Sequence, residues 1–80
     1  MKYYVMAIEQ TLIDGEYNEY APEVKKYNDF SSAETYFHTR LGQLANSPSH
    51  TYAELKIINS VGGIMKKDTT GQYVEVNAEE

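Results

Sequence analysis

Cysteine and tryptophan are absent from these 80 residues, and proline occurs only twice. Without cysteine there is no disulfide and no thiolate zinc site, a composition that suits a reducing cytosol, so a cytoplasmic location is expected. Positive charge is scarce: seven Lys and Arg stand against twelve Asp and Glu, for a net −5. Phosphate contacts need Lys or Arg, so direct nucleic-acid binding is not expected. An anionic membrane surface is disfavoured for the same reason. Long apolar runs are lacking too. The opening Met1-Lys2-Tyr3-Tyr4-Val5-Met6-Ala7-Ile8 is cut off at Glu9 and Gln10, too soon for a secretory signal or a membrane span.

What is present is a patterned chain of single-domain length. Residues 2–10 are apolar on both alternating sets, the mark of a central strand. Tyr4, Met6 and Ile8 are read as facing the helix, with Tyr3, Val5 and Ala7 on the other side. Asp14-Gly15 signals a tight reversal. An irregular stretch follows, in which 16–20 is open between loop and short strand. Pro22 lacks a donor, which suits an edge, and an edge strand is expected near 23–28.

Ser31-Ser32-Ala33-Glu34 matches a capping box, with Ser31 as N-cap. Ala33, Phe37, Leu41, Leu44 and Ala45 then recur at helical spacing, and Asn46-Ser47-Pro48 ends the helix. Gly42 lies inside it, where close contact with the sheet would explain a glycine. Thr51–Asn59 alternates again, with Ala53, Leu55 and Ile57 on one face and Tyr52, Glu54, Lys56 and Ile58 on the other. Asn59-Ser60-Val61-Gly62-Gly63 reads as a hairpin loop returning into a strand at 64–67. Thr69-Thr70-Gly71 turns once more, and 73–76 could add a short last strand.

The sequence therefore predicts an α+β domain over 1–76, ordered β-β-α-β-β. Its four-stranded antiparallel sheet, with room for a short fifth strand, carries one helix on one face. The second strand of the sequence would lie on one edge, then the first, third and fourth. Residues 77–80 read as an acidic, disordered tail.

The usual signatures of chemistry fail to assemble. Glu34 and His38 stand at i, i+4, but two ligands do not close a metal site, and a surface helix pair is the simpler reading. Ser31, Ser32, His38 and Asp29 are neighbours without a G-x-S-x-G elbow. Glu16, Glu19 and Glu23 read as solvated charge. Gly62-Gly63 joins two strands rather than a strand and a helix, so it cradles no phosphate. No enzyme, catalytic residue, metal or cofactor is expected.

Eight tyrosines are the compositional oddity. Their amphipathic rings suit half-buried surfaces and interfaces. A lone helix leaves one side of a sheet open, and open apolar surface marks contact sites. Tyr3, Val5, Tyr52 and Ile58 are the candidate interaction surface, and a homodimer or another protein the expected partner. The alternatives are an acidic nucleic-acid mimic that inhibits a DNA-binding protein, and a small ligand-binding domain.

The opening Lys2–Ile8, the pairs Ala33-Glu34 and Phe37-His38, and the loop Asn59–Gly63 resemble those of short proteins from Gram-positive, often gut-associated, bacteria and their prophages. The resemblance spans roughly residues 2–67. It implies no activity and brings over no site residue.

Overall fold

The computed structural model describes residues 1–76. The expected acidic tail, 77–80, lies outside the described residues. The elements run β1 (Tyr3–Ile13), β2 (Glu16–Glu19), β3 (Glu23–Tyr27), α1 (Phe30–Ala45), β4 (His50–Asn59) and β5 (Ile64–Gly71). All strand pairs are antiparallel. This is an α+β fold with one helix packed on a five-stranded sheet.

Strand β1 is the organiser. One edge pairs along β4, while the other is shared between β3 at residues 3–7 and β2 at residues 10–13. β5 closes the far side of β4. The fifth strand is therefore 16–19, and 73–76 forms no strand. β5 also continues to Gly71, beyond the expected end at 67. Asp14 (φ 52°) and Gly15 (φ 81°) make the β1–β2 reversal, the left-handed pair that a two-residue hairpin needs.

Helix α1 starts two residues earlier than expected. Asp29 is the N-cap, and its Oδ1 accepts the Ser32 N–H at 2.8 Å. That bond and a second from the Ser32 hydroxyl hold the Asp29 carboxyl below its ordinary pKa. The Ser31–Glu34 box does not form. Glu34 instead reaches across to Lys66 on β5, 3.2 Å away. An Asp with the right extended backbone wins the cap because it brings a charged acceptor to the positive end of the helix. The stop at Asn46 is as expected. Ala45, though, is exposed and leaves the packed stripe to Ala33, Phe37, Leu41 and Leu44.

The core is thin. Val5, Ala7, Ala53, Leu55 and Ile57 of the sheet meet Ala33, Phe37 and Leu44 of α1. Tyr3, Tyr27, Phe30 and Tyr36 edge it, with Tyr3 against Phe30 at 5.7 Å between ring centroids. Gly42 has open space where a Cβ would sit, so close packing does not account for that glycine.

Candidate functional site

Register decides which residues face the helix. Val5 pairs with Ile57, Ala7 with Leu55 and Glu9 with Ala53, and directly opposed residues share a face. The helix-covered side is therefore Tyr3, Val5 and Ala7. Tyr4, Met6 and Ile8 take the other side, the reverse of the expectation. Val5 is 1% exposed and belongs to the core, and Tyr3 packs beside it. Neither belongs to an open surface. β1 is apolar on both alternating sets, so its own pattern could not say which set turns inward. Register with the one-sided β4 decides it: Val5 and Ala7 lie opposite Ile57 and Leu55, which α1 covers.

The other face is ordered in rows across the sheet. Lys26, Tyr4, Ile58 and Ile64 make the first row. Val24, Met6, Lys56 and Lys67 make the second. Ile8, Glu54 and Thr69 make the third, and Glu19, Gln10, Tyr52 and Gly71 the fourth. Tyr4, Met6, Ile8 and Ile58 are half-buried, and Val24, Ile64 and Met65 are exposed. The charges are segregated: Lys26, Lys56 and Lys67 lie toward one end, Glu54 and Glu19 toward the other. Glu54 is 3.4 Å from Lys67 and 3.9 Å from Lys56.

The fourth row is not open. After Gly71 the chain leaves β5 and crosses this face. Gln10 Nε2 donates to the Val74 carbonyl at 2.7 Å, and the Val74 N–H donates to Gln10 Oε1 at 3.0 Å. Tyr73 lays its ring edge-on to Tyr52, 5.7 Å between centroids, and its hydroxyl donates to Glu19 at 2.5 Å. This crossing explains a buried glutamine: both ends of its amide are satisfied by backbone. Burial, then the nearby Glu54 carboxylate, push the Tyr52 phenol up. The hydrogen bond to Glu19 does the same for Tyr73. Of the four expected surface residues, then, Ile58 is on the uncovered face, Tyr52 is on that face beneath the chain's own Tyr73, and Tyr3 and Val5 are on the helix side. Sequence reading missed Tyr4, Met6, Ile8 and Val24. The sequence signal for the crossing is Gly71 followed by Tyr73 and Val74, a pattern that equally fits a short strand.

The other polar candidates make contacts within the fold. His38 sets its ring edge against Phe37 rather than beside Glu34. Asp29 and Ser32 cap the helix without a histidine. Glu23 is no free solvated charge: it accepts from Arg40 and from the Tyr36 hydroxyl, each at 3.0 Å. Among the described residues, no group of three His, Cys, Asp or Glu could hold a metal ion, and no helix is long and apolar enough to cross a membrane. A hollow of about 210 Å³ beside Arg40 and Leu44 is lined by Glu9, Tyr20 and Glu23, where Glu23 already neutralises Arg40. A shallow groove of about 410 Å³ runs past Tyr27, Tyr36 and the hydroxyls of Ser31, Ser32, Thr35 and Thr39. Compared with protein-family models, curated proteins and solved structures, the chain matches none.

Proposed function

We propose that this chain is a non-catalytic protein-interaction module that forms a homodimer through the uncovered rows of its sheet. The observation that carries this reading is the strip Tyr4, Met6, Ile8 and Ile58, apolar side chains left half-buried on a face that no helix covers among the described residues. The strip sits between a lysine end and a glutamate end, and that polarity favours a second copy over an unrelated partner. A two-fold axis lying between two such sheets, perpendicular to the strands, sets Met6 of one copy over Ile8 of the other. The same operation sets Lys56 over Glu54 and Glu54 over Lys56, because a face with opposite charges at its two ends is its own complement.

Sheets packed this way stand about 10 Å apart, a gap that methionine, isoleucine and tyrosine side chains fill from both sides. The uncovered footprint is small. Four strands at ~4.8 Å and three rows at ~6.8 Å give about 400 Å² of flat area, half of the ~800 Å² per partner in a standard interface. The dimer is accordingly weak and concentration-dependent.

Sedimentation equilibrium between about 10 µM and about 1 mM tests the reading, over the span of weak association free energies. The expected result is a monomer–dimer equilibrium in that range, weakened about tenfold or more by Met6→Glu, which sets a buried charge against the facing sheet. A monomeric mass throughout overturns it. So does a Met6→Glu protein that associates as the parent does.

A further inference from the structure

The crossing segment lies where the second copy has to land. With the two-fold axis between the Met6 and Ile8 rows, the Tyr4–Ile58 row of one copy falls on the Gln10–Tyr52 row of the other. That row is occupied by Gln72, Tyr73 and Val74 of its own chain. A backbone segment lying on a sheet fills the layer in which the facing side chains would interdigitate. Resting on the homodimer reading above, we infer that Gln72–Val76 is an autoinhibitory strap that competes with the second copy for the Gln10–Tyr52 row.

Three features fit a strap that opens rather than a piece of permanent core. Its attachment is a few polar points and one ring contact: the two Gln10–Val74 bonds, the Tyr73–Glu19 bond, a Gln72 N–H to the Thr51 carbonyl at 2.9 Å, and Tyr73 edge-on to Tyr52. Its side chains bury little, since Gln72, Tyr73, Glu75 and Val76 are all exposed and Val74 is only half-buried. What lies beneath is aromatic and suited to another protein: lifting the strap uncovers Tyr52, in line with Ile8, Tyr4 and Ile58. The freed row also seats the facing Tyr4–Ile58 row, so the paired rows rise from two to four, at ~6.8 Å per row.

Closed and open forms then share one equilibrium. The second copy binds the open form best, so its apparent affinity is reduced by the fraction of chains that are open. Any change that detaches the strap without touching the Tyr4–Met6–Ile8 strip tightens the dimer.

Two substitutions in the full chain detach it from different ends. Gln10→Met keeps an extended side chain of similar length and removes both bonds to Val74. Tyr73→Ser alters an exposed residue, so it does not threaten the fold, and removes the contacts to Tyr52 and Glu19. Sedimentation equilibrium of the parent and both variants, with circular dichroism to confirm folding, is the measurement. Each variant is expected to dimerise about tenfold more tightly, and Met6→Glu added to either is expected to abolish the gain. A parent that dimerises while folded Tyr73→Ser dimerises equally or more weakly overturns the strap and leaves the dimer standing. A monomeric parent overturns the dimer reading above, and the strap with it.

Discussion

Single residues hold the junctions of this molecule, and Gly71 is the sharpest case. It ends β5 with φ at +78°, a conformation that L side chains rarely adopt. A Cβ built there would collide with the Thr51 carbonyl oxygen and stand 2.7 Å from His50 Nε2. Backbone cannot yield as a flexible side chain does, so both strain and collision oppose any other residue. Gly71→Ala is expected to lower the unfolding free energy by about 2 kcal/mol or more, read from urea denaturation. A change under about 0.5 kcal/mol would mean that the chain can leave β5 by another route. His50 lies beside this junction with both ring nitrogens buried and no hydrogen-bond partner among the described residues. Gln10 is the counterexample: a fully buried side chain, it has both ends of its amide paired to Val74. Neither environment is visible in the sequence, where Gln10 merely ends an apolar run.

At the scale of elements, helix and strands differ in how much of their placement was legible. The spacing of Ala33, Phe37, Leu41 and Leu44 located α1 and its buried stripe, because a helix presents one face every 3.6 residues. Its N-cap was misplaced by two residues, since Asp29 and Ser31 are both good caps and only the backbone path chooses between them. Gly42 shows the limit of reading a glycine as close packing. Nothing stands within 4 Å of its absent Cβ, so it contributes only the entropic cost of a flexible residue in a helix. Gly42→Ala is therefore expected to stabilise the protein by about 1 kcal/mol, seen as a higher melting temperature. A lower melting temperature would point to a contact that the open space does not show. Among strands, β4 was read correctly because its polar Glu54 and Lys56 alternate with Ala53, Leu55 and Ile57. β1 was turned over because both of its alternating sets are apolar.

For the whole molecule, thinness governs. The described chain measures 44 × 26 × 15 Å, little more than a sheet with one helix laid on it. The fully buried side chains are few, with Phe37, Leu55 and Ile57 the largest apolar ones. Stability thus rests on a small set of contacts between α1 and the β1–β4 pair. Leu55→Ala is expected to cost about 2–5 kcal/mol, a large part of the total for a domain of this size, and to move the urea midpoint sharply down. A loss below about 1 kcal/mol would place the weight of the core elsewhere. Among the described residues, the same thinness leaves Tyr4, Met6, Ile8 and Ile58 without a covering layer, which is why association is proposed at that face and not at the helix.

The sequence by itself determined the class of fold, one helix on an antiparallel sheet, and the order of strands β3, β1, β4 and β5. Those follow from local periodicity, turn residues and the right-handed crossover, all of which act within a few neighbouring positions or through chain connectivity. Only the tertiary structure decided which face of β1 turns inward, because that choice depends on the register with β4, many residues away. It alone decided, too, that Gln72–Val76 would lie across the sheet rather than join it as a strand. Gln10 and Val74 are 64 positions apart, and a hydrogen bond over that separation leaves no periodic trace in the chain.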